Sequence, residues 1–455
     1  MASTEVPPEQ PFVPVITGGD VGAYSLAREF HEAYGVISAV APTTVNRNLR
    51  HSRILQAFPA GPMTEEQPVI DALVRVAGQL RRTGAAPDRP LLLLASYDHL
   101  VRFAVRHRAT LSAAGYTVPY PDEESLDAAA LKENFYALCE QLAVPYPKTT
   151  TYDAGSHTPE AARRFAAGLG GTGTAGEDDE SGVRFPVILK AGDGGAWADI
   201  RFEGRRKVHV VDQAAGQDGS GAAEIERLVT LASEAGYTGT LIVQELVPGP
   251  DSQLGIATFF RDGTGATRLV SYGEVIVEDH APGTEGNARA VLAGQHPVVA
   301  EQGAALLEAL DWRGFAMFDT KIDPRTGQAQ FLEMNPRLGR NHYYLTAAGA
   351  NPAPYLVEEY LAGEYLGADT VTPAPTTPDC VTTTGPALTT TIPMSLVRRY
   401  ATASQRERIR QAAQQGRVVR PFSYPADRDV RREAYHRATE LNALRVFRNH
   451  PAPDA

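Results

Sequence analysis

Short apolar runs alternate with helical patterns in the first part of the chain. One run covers residues 13–17 (VPVIT), a helical pattern covers 23–34, and a second run covers 36–40. Residues 91–95 (LLLLA) are entirely apolar, as expected for a strand that is buried on both faces of a parallel sheet. This alternation predicts an open parallel α/β sheet up to about residue 120, and we place a first domain at residues 1–125.

Two acidic residues follow strands of this predicted sheet. Asp20 comes after the run at 13–17, and Asp98 comes shortly after the run at 91–95. Ligands of open α/β sheets usually bind beyond the carboxyl ends of the strands, so both residues are candidates for substrate contact. A helix N-cap is an equally good interpretation of each.

A later apolar run ends in a lysine and then in glycines. Lys190 ends the run at 185–190 (FPVILK). The segment AGDGGAW follows directly and contains Gly194 and Gly195. Glycines let backbone N–H groups approach phosphate oxygens, and the lysine ammonium supplies a point charge. The order differs from a Walker loop, since no G-K-[ST] follows the glycines. An ordinary glycine-rich hairpin turn is the alternative.

The segment 241–251 (LIVQELVPGPD) has the pattern of a strand that leaves a sheet through a polar hinge. Gln244, Glu245 and Val247 then offer hydrogen-bonding groups to an adenine edge, and Asp251 is a candidate for the ribose hydroxyls. A strand that ends in a Pro-Gly turn is the alternative.

Three oxygen-bearing side chains suggest a metal site near residue 330. Glu333 and Asn335 alternate along a strand and therefore face the same side, while Asp319 lies on the preceding strand of a predicted hairpin that turns at 323–327. Carboxylate and amide oxygens are ligands that Mg²⁺ prefers, with Mn²⁺ as an alternative. Asp323 and Asp193 are two further acids that leave the identity of the first ligand open.

Charge and composition restrict the function classes. The chain has 43 Lys+Arg and 54 Asp+Glu, a net charge of −11, which argues against a general nucleic-acid binder. Two cysteines, Cys139 and Cys380, are too few for a disulfide framework, and we expect a cytoplasmic protein. No apolar run approaches about 18 residues, and no signal peptide is recognised, so no membrane partner is expected.

Basic residues are unevenly distributed. Only five of them are lysines, at positions 132, 148, 190, 207 and 321. Residues 396–455 contain 13 Arg and 6 acids, a net charge of +7, which leaves −18 on the remainder. This Arg-rich tail either packs on the acidic body or binds a phosphate-bearing substrate, since Arg binds phosphate bidentately.

Three segments are poor in apolar residues. Residues 168–182 and 213–221 are glycine-rich and predict mobile loops, and residues 370–391 are rich in Thr and Pro and predict an extended connection.

Taken in order, the motifs of residues 130–360 resemble the ATP-grasp superfamily of carboxylate–amine ligases. The resemblance implies an α/β (α+β) ATP-grasp fold behind the N-terminal domain, at 126–370, with a small nucleotide lobe at about 150–247 and a metal-binding lobe at about 248–370. Residues 371–455 then form a linker and the Arg-rich C-terminal region. The roles implied are ATP contact by Lys132, Lys190, Gln244 to Val247 and Asp251, Mg²⁺ binding by Asp319, Glu333 and Asn335, and catalysis by Arg337, Lys190 and Arg340.

Within the superfamily, several motifs look like the D-aspartate ligase group of peptidoglycan crossbridge enzymes. They include residues 18–24 (GGDVGAY), 282–287 (PGTEGN) and 335–340 (NPRLGR). The resemblance implies ADP-forming amide synthesis through an acyl phosphate, with D-aspartate or another acidic amino acid as the carboxylate. The implied amine belongs to a phosphate-bearing cell-wall precursor. A ligase that makes a dipeptide or natural-product amide, and a catalytically silent nucleotide-binding protein, are the alternatives.

Overall fold

A computed structural model describes residues 5–7, 10–82, 89–169, 182–192, 197, 200–206, 208–213, 220–362 and 385–452. The segments predicted as loops at 168–182 and 213–221, and the connection at 370–391, lie largely outside these ranges. Among the helices in the described ranges, none has both the length and the apolar composition needed to cross a bilayer.

The N-terminal region is an open parallel sheet flanked by helices. Its five strands lie in the order β3-β2-β1-β4-β5, and every pairing is parallel. The strands are β1 (Val13–Thr17), β2 (Ser38–Ala41), β3 (Leu55–Ala57), β4 (Leu91–Ala95) and β5 (Tyr116–Thr117). The helices are α1 (Val21–Tyr34), α2 (Glu66–Arg82), α3 (Asp98–Arg106), α4 (Arg108–Ala113), α5 (Glu123–Ala130) and α6 (Lys132–Gln141). β1 and β4 are fully buried because helices cover both faces, as their apolar runs predicted.

A small antiparallel sheet follows, with the strand order β6-β9-β7-β8. Its strands are β6 (Thr149–Asp153), β7 (Val187–Ala191), β8 (Val208–Val211) and β9 (Thr240–Glu245). Two helices, α7 (Pro159–Ala167) and α8 (Gly221–Glu234), pack against it around a core that contains Leu189, Val229 and Val243. β7 therefore carries Lys190 in the centre of this sheet.

The largest sheet has seven strands in the order β14-β13-β10-β11-β12-β15-β16. They are β10 (Leu254–Arg261), β11 (Thr267–Glu278), β12 (Ala288–Gly294), β13 (Gly314–Ile322), β14 (Ala329–Asn335), β15 (Leu388–Thr390) and β16 (Val418–Val419). The associated helices are α9 (Pro297–Ala309), α10 (Tyr343–Ala347) and α11 (Pro352–Tyr360). β13 and β14 form the hairpin predicted around the turn at 323–327.

The C-terminal region packs on the rest of the protein through a buried carboxylate. Its helices are α12 (Met394–Tyr400), α13 (Ala403–Gln414) and α14 (Val430–Asn449). Asp427, which is 4% exposed, accepts hydrogen bonds from the Tyr24 hydroxyl (2.7 Å), the Ser52 hydroxyl (2.9 Å) and the Arg53 backbone N–H (2.5 Å), and it pairs with Arg432. Packing of the tail on the body, one of the two interpretations of its sequence, is therefore observed.

Candidate active site

The three predicted metal ligands lie together on the β13–β14 hairpin. Asp319 is directly opposite Glu333 in the ladder, and Asn335 is opposite Met317. The Asn335 amide nitrogen donates to Asp319 Oδ2 at 3.0 Å. Burial, reinforced by the Glu333 and Glu278 carboxylates, raises the pKa of Asp319 well above its usual range. The hairpin therefore brings acidic side chains close together, and a divalent cation would relieve their mutual repulsion.

The donor set fits Mg²⁺, since it consists of two carboxylates and one amide oxygen on adjacent strands. Within the described ranges, no group of three or more His, Cys, Asp or Glu side chains is arranged to hold a metal. Asp323 accepts from the Arg325 backbone N–H (2.9 Å) and forms an ion pair with its guanidinium (2.6 Å), so it belongs to the turn. Asp193 lies outside the described residues.

Lys132 connects helix α6 to the metal strand. It is the first residue of α6, and its Nζ lies 3.0 Å from Glu333 Oε2. The Glu333 carboxylate raises the pKa of Lys132, against the lowering effect of burial. The ammonium is therefore held, fully charged, beside the predicted metal site.

Lys190 and Gln244 are neighbours on the small sheet, because Gln244 pairs with Ile188, two residues before Lys190. Gln244 Oε1 accepts from Lys190 Nζ at 3.2 Å, while Gln244 Nε2 donates to the Tyr136 hydroxyl (2.7 Å) and to Thr149 Oγ1 (2.8 Å). Gln244 was predicted to contact adenine, but its amide nitrogen donates to two other residues of the protein. In this arrangement it positions Lys190.

Sequence reasoning did not identify Tyr136 or Thr149. Tyr136 also donates to the Leu332 carbonyl oxygen at 2.7 Å, and so connects β9, which carries Gln244, with β14, which carries Glu333. Tyr136 lies four residues after Lys132 in the same helix, and this spacing places both side chains on one face. The four-residue spacing from Lys132 is the feature of the sequence that could have identified Tyr136.

The hinge after β9 is anchored at its backbone. The Glu245 N–H donates to the Lys148 carbonyl, and the Leu246 N–H donates to the Pro186 carbonyl, each at 2.9 Å. The Glu245 carboxylate accepts from the Arg184 N–H at 2.9 Å, and Val247 is buried. The hinge therefore has a fixed conformation beside β7. Gly194 and Gly195 lie outside the described residues.

Asp251 lies beyond the hinge, close to the end of β11. Its Oδ2 accepts from the Glu278 backbone N–H (2.9 Å) and contacts His280 Nε2 (2.8 Å). The hydrogen bond with Asp251 raises the pKa of His280. Lys321 Nζ donates to the Gly249 carbonyl at 2.9 Å, so this lysine holds the turn before Asp251.

Arg337 and Arg340 face acidic residues of the N-terminal region. Arg337 Nε and Nη2 lie 2.8 and 3.0 Å from the two Asp98 carboxylate oxygens. Arg340 Nε lies 3.2 Å from Asp20 Oδ2, and Arg340 Nη1 donates to Asn287 Oδ1 at 2.8 Å. Asp20 is also the N-cap of α1, accepting from the Ala23 N–H at 3.0 Å, so both of its predicted roles are compatible.

Cys139 is a core residue of α6 and is fully buried. Burial raises the pKa of its thiol to about 12. Since only the thiolate reacts, native protein carrying Cys380→Ser should be alkylated by iodoacetamide at pH 8 about 10³-fold more slowly than the same protein in urea. Cys139→Ala should retain activity. Labelling at the rate of a free thiol, with loss of activity, would instead identify Cys139 as a nucleophile.

Comparisons with known proteins identify the fold. No protein-family model matches the chain. A D-aspartate ligase of Enterococcus faecium (strain Aus0004) is 27% identical over 352 residues, which are 76% of this chain and 76% of that protein. The biotin carboxylase of Campylobacter jejuni, solved with an ATP analogue, superposes with a TM-score of 0.51 at 15% identity, covering 76% of this chain and 70% of that one.

A second solved structure gives the same result. The biotin carboxylase domain of Hydrogenobacter thermophilus 2-oxoglutarate carboxylase, solved with MgADP and bicarbonate, superposes with a TM-score of 0.52 at 15% identity. The superposition covers 79% of this chain and 72% of that one. The structural likeness confirms the predicted fold, and the sequence similarity to a ligase agrees with the predicted enzyme class. The chain has the ATP-grasp fold and is similar in sequence to a D-aspartate ligase.

Proposed function

We propose that this chain is an ADP-forming carboxylate–amine ligase that activates D-aspartate, or another acidic amino acid, and joins it to an amine of a phosphate-bearing cell-wall precursor in the cytoplasm. The observation that carries the proposal is the sequence similarity to D-aspartate ligase across 76% of the chain. Two arginines beside the metal hairpin support it, because an acidic amino acid brings two carboxylates.

ATP is held, in this proposal, between the small sheet and the metal hairpin. The hinge from Glu245 to Val247 contacts the adenine, and Asp251 contacts the ribose. Lys132 and Lys190 bind the phosphates. Asp319, Glu333 and Asn335 would hold Mg²⁺, which neutralises charge on the phosphate oxygens when bound. Phosphoryl transfer depends mainly on such positioning and charge neutralisation.

The reaction has two steps. A carboxylate oxygen of the amino acid attacks the γ-phosphorus of ATP, and the bond from that phosphorus to the bridging oxygen breaks, releasing ADP. The amine nitrogen then attacks the acyl carbon, the acyl–phosphate bond breaks to release phosphate, and the nitrogen loses a proton. Lys132, Lys190 and Arg337 offset charge in the first step. Asp98 and Asp20 are the nearest carboxylates to the two arginines, and we place proton acceptance there.

The two arginines bind the substrate by releasing their aspartate partners and pairing with the substrate carboxylates. Arg337 pairs with both oxygens of Asp98, and Arg340 pairs with one oxygen of Asp20; a substrate carboxylate can take the place of either aspartate. Arg337 is the closer of the two to the hairpin, since its Nη2 lies 3.5 Å from Asn335 Oδ1. We therefore assign the reacting carboxylate to Arg337 and the second carboxylate to Arg340.

The tail supplies a further prediction about the amine substrate. Deleting residues 396–455 would remove the buried Asp427 contacts, so point substitutions are the better test. Arg437, Arg445 and Arg448 are exposed on α14. An exposed ion pair contributes about 0.2–1 kcal/mol, so replacing all three by Gln should raise the KM for the precursor roughly 3- to 100-fold and leave the KM for ATP unchanged.

The matched control removes exposed arginines elsewhere, at Arg163 and Arg164 on α7. The effect of the tail substitutions should shrink at high salt, because exposed charges are screened. An unchanged precursor KM in the tail variant would limit the tail to packing.

The proposed function is tested by ADP release from the purified chain with ATP, Mg²⁺ and single amino acids of both chiralities. We expect D-aspartate, or a close acidic amino acid, to give the largest stimulation, with a further increase when the precursor is added. Strong turnover of ordinary L-amino-acid pairs without any precursor would contradict the proposal and favour a dipeptide ligase.

A further inference from the structure

A buried ion pair contacts the loop that carries Arg337 and Arg340. The side chains of Glu29, on α1, and His342, at the start of α10, are 0% and 1% exposed. His342 Nε2 lies 2.8 Å from Glu29 Oε2, and Nδ1 lies 2.7 Å from the Gly339 carbonyl oxygen. The second carboxylate oxygen, Glu29 Oε1, accepts from the Thr346 hydroxyl at 2.6 Å.

The hydrogen-bond partners define the protonation state of the pair. A carbonyl oxygen can only accept, so Nδ1 of His342 carries a proton. Glu29 Oε1 accepts from Thr346, and the raised pKa of His342 favours a second proton on the ring, which Nε2 donates to Glu29 Oε2. Both ring nitrogens therefore donate, which makes the ring an imidazolium. Burial alone would lower the pKa of His342, but the Glu29 carboxylate, the Gly339 carbonyl and Asp20 together outweigh burial and raise it.

The pair restrains the loop through the Gly339 carbonyl oxygen, which contacts His342 Nδ1. Gly339 lies between Arg337 and Arg340, so the bond from His342 to its carbonyl restrains the backbone of both. Helix α1 restrains the same loop a second time, since its N-cap Asp20 contacts Arg340. The approach is close, because a Cβ at Gly22 would lie 3.2 Å from the Arg340 Cα and carbonyl oxygen.

We propose that Glu29 and His342 are positioning residues, which hold the loop at 337–340 so that both guanidinium groups are presented to the substrate carboxylates. Neither side chain contacts substrate. The effect on substrate binding rests on the proposed function, whereas the restraint on the loop does not.

The substitutions separate hydrogen-bond geometry from charge. In Glu29→Gln, the new amide N–H donates to Nε2 of a neutral His342, and Nδ1 still donates to Gly339, so the loop stays in place. In Glu29→Leu and His342→Leu, the bonds are lost. Thr346→Val removes one bond to Glu29 and is a milder variant in case the leucine variants fail to fold. Tyr24→Phe is the matched control on α1, because it removes a buried bond to Asp427 that is directed at the tail.

The first measurement is amide hydrogen exchange at residues 337–341 in the full-length protein without substrate. Exchange should rise at least tenfold in both leucine variants, rise several-fold in Thr346→Val, and stay within threefold of the unmodified protein in Glu29→Gln and Tyr24→Phe. Equal exchange in the unmodified protein and all five variants, or equal increases in Glu29→Gln and Glu29→Leu, would overturn the proposal.

The second measurement is the KM for the acidic amino acid. It should rise at least tenfold in the leucine variants, and the KM for ATP should stay within twofold. An unchanged amino-acid KM in a variant with raised exchange would overturn the positioning role. If the unmodified protein shows no ADP release in response to any acidic amino acid, the proposed function fails, and the exchange result still decides whether the pair restrains the loop.

Discussion

Glu333→Ala is expected to abolish Mg²⁺-dependent ADP release, with a loss in turnover of about 10³-fold or more, because several kcal/mol of charge stabilisation depend on the metal site. The substitution removes one of the two carboxylates of the proposed metal site and also the partner of Lys132. Glu333 is partly exposed, so the fold should remain, and thermal unfolding measures this. Asn335→Ala should have a similar but smaller effect, because a neutral ligand is lost.

Asp323→Ala is the matched control for this prediction. It removes a carboxylate from the same hairpin, four residues and about 13 Å along the strand from Asp319. Its pairing with Arg325 assigns it to the turn, so turnover should change only a few-fold. Near-normal turnover in folded Glu333→Ala, or a comparable loss in Asp323→Ala, would mean that the metal ligands have been assigned to the wrong residues.

Lys190→Met is expected to weaken ATP binding about 10- to 100-fold while adenosine binding stays within about twofold. The ammonium meets phosphate and not the base, and a hydrogen bond to a charged group contributes about 1.5–3 kcal/mol. Isothermal titration calorimetry with both ligands measures the difference. The substitution also leaves Gln244 Oε1 without its contact to Lys190 Nζ, which lies at 3.2 Å.

Lys148→Met is the control, because Lys148 is an exposed lysine beside β6 in the same lobe. Its substitution should leave both affinities unchanged. Equal losses of ATP and adenosine in Lys190→Met would place this lysine outside the phosphate site.

Much of the fold was predictable because its signals are local. The apolar run at 91–95 is a central parallel strand, and the alternation of Glu333 and Asn335 places both on one strand opposite Asp319. The order of these motifs along the chain then made the ATP-grasp arrangement recognisable. The irregularity between Asp319 and Thr320 in the hairpin register left no trace in the sequence, because two-residue periodicity does not reveal a bulge.

Contacts between residues far apart in the sequence were harder to predict. Arg337 pairs with Asp98 across 239 residues, and no local pattern indicates that contact. Gln244 was interpreted from its place in a hinge motif, but its side-chain partners lie on α6, β6 and β7 and depend on how these elements pack. The tail shows the same difficulty, since its arginine content did not reveal that the buried Asp427 is one of the residues through which it contacts the body.

The central claim is that this chain forms an acyl phosphate from an amino-acid carboxylate and ATP. Hydroxylamine can replace the amine substrate, since its nitrogen attacks the acyl carbon and releases phosphate. We predict that ATP, Mg²⁺, D-aspartate and hydroxylamine will give an aspartyl hydroxamate, detected by mass spectrometry, in amounts equal to the ADP released. Glu333→Ala should give neither product. Release of AMP and pyrophosphate, or release of ADP with no hydroxamate from any amino acid, would contradict the account.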